Sequence, residues 1–139
     1  MKTLALDLGD RWVGSAISDA LGITCRPYKT ADAKDLYSFI EEVIQEEDIE
    51  QIIVGCPQTF SDTQSDQTKK IILQKEDLEK KFSNIKWTLW DERLSSKRAE
   101  GLQGLMGKKQ KDKQTKVDSH SIAAAFILQT YLDKLAFDR

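Results

Sequence analysis

The sequence predicts an α/β fold, a mixed five-stranded sheet in which an antiparallel meander precedes parallel strands and helices cover both faces. The first thirty residues contain three short apolar runs separated by turn residues, which is the pattern of a meander. After residue 35, segments with helical spacing alternate with short apolar runs, as in parallel strands joined by helices. The length of 139 residues suits a single domain over residues 1–139.

The meander is predicted from the runs LALDLG, WVGSAISD and GITCRPY. Tight turns are expected near Gly9–Asp10 and Ala20–Gly22, where turn-forming residues separate the runs. Pro27 lacks an amide hydrogen, so it confines the third strand to an edge of the sheet or to the exit of that strand.

Helices and strands alternate in the rest of the chain. The first helix is predicted from apolar residues at helical spacing, which are Leu36, Phe39, Ile40, Val43 and Ile44. The strand IEQIIVG, a polar loop over residues 58–67, a charged helix and the strand IKWTLW follow. A short helix through Ala99 and Leu102, a mobile lysine-rich stretch over 107–116 and the apolar helix SIAAAFILQTYLDKLAF complete the prediction.

Composition favours a cytoplasmic protein without a membrane segment. Hydrophobic residues make up 40% of the chain and charged residues 32%, and no run approaches the roughly 20 apolar residues that span a bilayer. The N-terminus enters a strand pattern directly, without the regions of a signal peptide. Cys25 and Cys56 lack metal-ligand spacing, so we expect structural thiols in a reducing compartment.

Charge is distributed unevenly although the formal net charge is only −2. Residues 31–50 carry eight acids and one lysine, a local net charge of −7, whereas residues 97–116 carry seven bases and two acids, a local net charge of +5. Such asymmetry makes one face attractive to polyanions. A solvated, lysine-rich loop is the simpler interpretation of the same pattern.

Carboxylates follow or interrupt the apolar elements at three places. Asp7 lies inside a strand pattern, Asp91 and Glu92 follow the strand WTLW, and Asp118 stands at the expected start of the last helix. Acids without clustered cysteine or histidine predict a hard oxygen site for Mg²⁺ or Mn²⁺. Asp118 as a helix N-cap, and Asp91 or Glu92 paired with a surface arginine, are the structural alternatives.

Several blocks resemble the YqgF family of RNase H-like pre-16S rRNA nucleases, also described as RuvX-type Holliday junction resolvase homologues. They are LDLGDRWVGSAISD, LGIT, IIVGCP, LWDERLSS, KVD and IAAAFILQTYLD, in family order over residues 4–133. The resemblance implies an RNase H-like fold and a metal-dependent nuclease that acts on structured RNA or on branched DNA. It implies Asp7 and Glu92 as catalytic metal ligands, with Asp91 beside them.

The third ligand implied by the resemblance has two candidates. The family commonly has an aspartate in the pattern D-x-x-A-A, and matching the alanines without a gap puts His120 at that place. If this chain instead has two residues more than the family at the start of the helix, Asp118 is the third ligand. Asp118 is the preferred candidate. A neutral imidazole at His120 ligates Mn²⁺ but suits Mg²⁺ poorly.

Basic residues near the acids would contact phosphates in such a nuclease. The family often has a basic residue where this chain has Trp12, and Arg11 comes one place earlier. The remaining candidates follow the second acid, namely Arg93, Lys97, Arg98, Lys108, Lys109, Lys111 and Lys113.

Other functions remain open from the sequence. Asp7 to Gly14 also resembles the phosphate loop of actin-like and sugar kinases, although those proteins hold nucleotide between two such domains. A non-catalytic RNA-binding module for ribosome assembly is a further alternative. The sequence allows a monomer or a homodimer, and a symmetric junction cut would need the dimer.

Overall fold

The computed structural model describes residues 1–56, 66–91 and 115–137, with side chains in the last stretch from Ser119 onward. The strands are β1 (Lys2–Leu8), β2 (Trp12–Ser18), β3 (Cys25–Asp32), β4 (Ile49–Cys56) and β5 (Lys86–Asp91). The helices are α1 (Leu36–Glu47), α2 (Asp66–Lys81) and α3 (Thr115–Phe137), with a 3-10 turn at Ala33–Asp35 before α1.

The strands form one mixed sheet in the order β3-β2-β1-β4-β5. β1 pairs antiparallel with β2, and β2 pairs antiparallel with β3, which makes the predicted meander. β1 pairs parallel with β4, and β4 pairs parallel with β5. The predicted five-stranded architecture is therefore confirmed, and β3 with its Pro27 is an edge strand.

Two hydrophobic layers enclose the sheet. On one face, the sheet packs against α1 and α2 through side chains such as Leu6, Ile17, Ile40 and Leu78. On the other face, small strand residues, including Ala5 and Ala16, accept the apolar side of α3. Successive side chains of a strand point to opposite faces of the sheet. A polar residue therefore lies on the face opposite to that of the apolar residue next to it.

The Asp19 carboxylate stabilises the turn between β2 and β3, together with backbone hydrogen bonds from Asp19 to Thr24 and from Gly22 to Asp19. Asp19 Oδ1 accepts hydrogen bonds from the amides of Ile23 (2.8 Å) and Thr24 (3.3 Å), and these bonds lower the pKa of Asp19. Gly22 has a φ of +71°, a conformation that costs glycine little. The predicted turn at Ala20–Gly22 is therefore confirmed, at the end of the sheet opposite to the carboxyl end of β1.

Two helix boundaries differ from the prediction. α2 begins at Asp66, so residues 66 and 67 do not belong to the polar loop expected over 58–67. α3 begins at Thr115, six residues before the expected apolar start, so Asp118 lies within the helix and the N-cap interpretation is wrong. The short helix near Ala99 and the lysine-rich stretch up to residue 114 lie outside the described residues.

Among the described helices, none is long and apolar enough to cross a membrane.

Candidate metal centre

Asp7 lies near the carboxyl end of β1, where the sequence pattern placed an acid inside an apolar run. It is half-buried between the buried Leu6 and Leu8, and it pairs across the strands with Gly14 of β2. Alternation puts Asp7 on the same face of the sheet as Ala5, which packs against α3. Its carboxylate therefore belongs to the face that α3 covers.

The first turns of α3 lie directly on Gly14. A Cβ placed on Gly14 would collide with the backbone carbonyl of His120 and would stand 2.8 Å from the Cβ of His120. A hydrogen bond of 2.6 Å between Thr30 Oγ1 of β3 and Ser121 Oγ fastens the same turn to the edge of the sheet. Gly14 of β2 pairs with Asp7 of β1 and with Thr30 of β3. The first turns of α3 therefore pack on this row of three neighbouring residues.

Asp91 ends β5 on the opposite face from Asp7. The preceding Trp90 packs in the α3 layer, and its indole Nε1 donates to Thr130 Oγ1 at 3.1 Å. Alternation places Asp91, only 8% exposed, on the α1 and α2 face, where its partner Cys56 also packs. The structure thus brings Asp91 to the correct end of the sheet but not to the face of Asp7.

The remaining candidate ligands differ in what the structure describes. Glu92 lies outside the described residues, whereas Asp118 is the fourth residue of α3 with its side chain outside the described part. His120 is half-buried near Gly14. Among the described side chains, no group of three or more His, Cys, Asp or Glu residues could hold a metal ion.

Arg11 lies in the turn between β1 and β2, one residue from the start of β2. Its guanidinium carbon stands 5.2 Å from the centroid of the Trp12 ring, and its backbone carbonyl accepts a hydrogen bond of 2.8 Å from the Ala33 amide. Arg11 is exposed, so its charge is available at the end of the sheet that carries Asp7. The other predicted phosphate contacts lie outside the described residues, namely Arg93, Lys97, Arg98, Lys108, Lys109, Lys111 and Lys113.

Sequence analysis missed the contacts that join this end of the sheet to its helices. Lys70 of α2 donates to Asp10 Oδ1 at 2.6 Å, and this ion pair lowers the pKa of Asp10. Thr30 and Ser121 are separated by 91 residues, so no local spacing could have paired them. A detectable signal was the run of small residues in WVGSAIS, which indicates close approach of another element to β2.

The donor chemistry fits a divalent cation of the Mg²⁺ or Mn²⁺ type. Asp7 supplies carboxylate oxygens and His120 an imidazole nitrogen, and the bare backbone at Gly14 leaves room for the turn that carries His120. Neither cysteine is near this row: Cys56 is buried in the α1 and α2 layer, and the Cys25 thiol contacts the carbonyl of Ala125. A soft thiolate site is therefore not part of this centre.

Comparison with known proteins identifies the family of this chain. A family model described as "RuvX: Holliday junction resolvase" matches residues 1–134. A Lachnospira eligens protein named "Putative pre-16S rRNA nuclease" is 34% identical over 96% of this chain and 97% of its own length. A Clostridium botulinum (strain Hall) protein of the same name is 36% identical over 98% of this chain and 99% of its own.

Solved structures with the same fold include one in complex with a Holliday junction substrate. Thermus thermophilus RuvC in complex with a Holliday junction substrate superposes with a TM-score of 0.60, covering 98% of this chain and 96% of that chain at 12% identity. A second structure of T. thermophilus RuvC has a TM-score of 0.54, also at 12% identity. At this identity the likeness shows the RNase H-like fold.

Proposed function

This chain belongs to the RuvX family, and on that premise we propose that it is a nuclease that hydrolyses phosphodiester bonds in structured nucleic acid with the help of a divalent metal. Precursor 16S rRNA, trimmed at its 5′ end, is the proposed substrate, because relatives that match over nearly their whole length are named "Putative pre-16S rRNA nuclease". The proposed location is the cytoplasm, in agreement with two free cysteines.

The observation that carries this proposal is the position of Asp7. A carboxylate at the carboxyl end of a central strand, on the face covered by the start of α3, is positioned to hold a hard cation at the surface of the sheet. The flanking leucines Leu6 and Leu8 are buried in the α1 and α2 layer, whereas Asp7 is half-buried on the face of α3. Chemistry of this kind accounts for a carboxylate in an otherwise apolar strand.

The proposed ligands are Asp7, Glu92 and one residue from the start of α3, for which Asp118 and His120 are the candidates. Asp91 is less suitable because it faces the α1 and α2 layer. Since strand residues alternate, the position after Asp91 is the one expected on the face of Asp7.

The bound metal, Mg²⁺ or Mn²⁺, would supply an activated water and charge stabilisation for the leaving oxygen. The protein's own residues orient the substrate around it. Arg11 would neutralise a phosphate at the mouth of the site, and the lysines between Glu92 and α3 would do so on the other side of the cut. The half-buried position of Asp7 limits access of bulk water to its carboxylate.

A second candidate substrate is a four-way DNA junction. It is favoured by the description of the matching family and by the fold shared with RuvC. Symmetric cleavage of a junction requires two active sites, so this activity predicts a homodimer, whereas trimming of RNA is compatible with a monomer.

The test is cleavage of labelled precursor-rRNA ends and of a four-way DNA junction, with Mg²⁺ or Mn²⁺, by wild type and by Asp7→Asn. We expect metal-dependent cutting of the RNA that Asp7→Asn abolishes. Asp10→Asn is a matched control, since Asp10 is a neighbouring acid whose ion pair with Lys70 lies at the exposed surface. Equal cleavage by wild type and Asp7→Asn would contradict the proposal, and binding without cleavage would favour the RNA-binding module.

A further inference from the structure

We propose that His120, and not Asp118, is the ligand that α3 contributes beside Asp7, and that its imidazole makes the metal site select Mn²⁺ over Mg²⁺. This inference rests on the proposed nuclease function and specifies the cofactor of the same site. The helical phase of α3, the contact at Gly14 and the donor chemistry of imidazole support it in turn.

The helical phase allows only one of the two candidates to face Asp7. Residues two apart in an α-helix are separated by roughly 200° around the axis, so they lie on nearly opposite sides. Asp118 and His120 are both within α3. The two residues therefore cannot both face Asp7.

Contacts of the rest of α3 show which side of the helix faces which strand. The Cys25 thiol donates to the Ala125 carbonyl, and Gln129 Nε2 donates to the Ile23 carbonyl, so the side that carries residues 121, 125 and 129 faces β3. Position 118 is three residues before 121 and seven before 125, spacings that return to the same side of a helix. By helical spacing, position 118 belongs to the same side of α3 as residues 121 and 125.

The other side of α3 faces β1, β4 and β5. Ile127 packs in the layer with Ala5 and Ile53, and the hydroxyl of Tyr131 accepts a hydrogen bond of 2.9 Å from Gln51 Nε2 of β4. His120 precedes Ile127 by seven residues and Tyr131 by eleven, which are close to two and three whole turns. His120 therefore occupies the side of α3 that faces β1, the strand of Asp7.

Gly14 brings that side of the helix into contact with the sheet. The Cβ of His120 would stand only 2.8 Å from a Cβ on Gly14, and Gly14 is the direct partner of Asp7 in the β1–β2 pair. Directly opposite residues of a strand pair project from the same face with their Cβ positions about 5 Å apart. Asp7 and His120 are thus adjacent in space, although 113 residues separate them in the sequence.

The type of ligand beside Asp7 determines which divalent metal the site prefers. Mg²⁺ is held almost entirely by oxygen ligands and keeps much of its water, whereas Mn²⁺ also accepts imidazole nitrogen. A site that combines Asp7 with His120 should bind Mn²⁺ more tightly than Mg²⁺. An aspartate in place of His120 should remove that preference.

The experiment is isothermal titration calorimetry of Mn²⁺ and of Mg²⁺ with wild type, His120→Ala, His120→Asp, Asp118→Asn and Asp7→Asn, without nucleic acid. We expect wild type to prefer Mn²⁺, and His120→Ala to weaken Mn²⁺ binding at least about tenfold. His120→Asp should improve Mg²⁺ affinity relative to Mn²⁺, whereas Asp118→Asn should bind both ions as wild type does. Circular dichroism would verify that each variant is folded.

The outcomes separate this inference from the proposed function. If Asp118→Asn loses Mn²⁺ binding while His120→Ala retains it, the choice of ligand is overturned and the metal site stands. A wild type without preference for Mn²⁺, or an unchanged preference in His120→Asp, overturns the selectivity. If Asp7→Asn binds both ions as wild type does, the metal centre itself is misplaced, and the proposed function fails with it.

Discussion

At the scale of single residues, the absence of a side chain at Gly14 has as much influence on the candidate site as any charged group. The backbone of α3 occupies the space that a Cβ would need, and the same glycine pairs with Asp7. Any larger residue must push the start of α3 away from the sheet. The distance between Asp7 and the helix is therefore set by a residue that carries no chemistry of its own.

Replacement of Gly14 tests this dependence. Gly14→Ala should lower the free energy of unfolding by about 1–3 kcal/mol, because a methyl group is forced against the carbonyl of His120. It should also weaken Mn²⁺ binding. Gly22→Ala is the matched control: it strains a positive φ in an open turn, at a cost of about 1 kcal/mol, and should leave metal binding intact. Urea unfolding and calorimetry measure both effects, and normal Mn²⁺ affinity in Gly14→Ala would contradict the argument.

The Cys25 thiol gives a pH-dependent prediction. Burial, and then the carboxylates of Asp133 and Asp19, raise its pKa from 9.0 to about 11. Between these values the unfolded chain has lost the thiol proton that the folded chain retains, so stability should fall as pH rises through this window. Urea unfolding at pH 8 and pH 10 should show a steeper loss in wild type than in Cys25→Ala. Identical slopes in the two proteins would rule out this contribution.

At the scale of elements, α3 combines packing and positioning. Its apolar side completes the second hydrophobic layer, and its first turns approach Asp7. The two roles lie on different parts of one helix, so they can be separated by mutation.

Leu128 and Leu135 provide a matched pair on α3. Leu128 is fully buried, and Leu128→Ala should cost about 2–5 kcal/mol of unfolding free energy through lost burial and a cavity. Leu135 is 39% exposed, and Leu135→Ala should cost no more than about 0.5 kcal/mol. Thermal or urea unfolding of the two variants checks this difference. Similar losses would mean that α3 packs differently from its position here.

The sequence predicted the order and type of the described elements because hydrophobic periodicity is a local property. The start of α3 was not predictable in this way, since Thr115 to Ser119 present no apolar pattern that packing would require. The face of Asp91 was also missed. The face that Asp91 occupies follows from the packing of β5. Trp87 and Leu89 pack in the α1 and α2 layer and Trp90 in the α3 layer, so Asp91 returns to the α1 and α2 face.

Across the whole molecule, charge is separated in a way that should govern binding of nucleic acid. α1 is rich in exposed glutamates, and the basic segment between Glu92 and α3 is where the sequence concentrates lysine. A protein with a net charge of −2 can therefore bind a polyanion only through a restricted surface. The salt dependence of binding should report that surface.

Replacing Lys108, Lys109, Lys111 and Lys113 by glutamine should reduce the slope of log affinity against log salt. The expected reduction is roughly 0.7–0.9 for each lysine that contacts a phosphate. A charge-matched control replaces Lys80, Lys81, Lys86 and Lys134, which are exposed in elements at the opposite end of the sheet. Titrations of labelled RNA at several salt concentrations compare the two variants. Equal slopes would mean that the basic segment does not contact the nucleic acid.

The contact between α3 and Gly14 also has a consequence for the order of events during translation. A nascent chain that has emerged as far as Asp91 already contains all five strands, but α3 is still to be made. Until α3 covers its face of the sheet, Asp7 has no neighbour from that helix. We therefore expect the proposed metal centre to form only after α3 has emerged from the ribosome, so that a shorter nascent chain would carry no complete centre beside the ribosomal RNA.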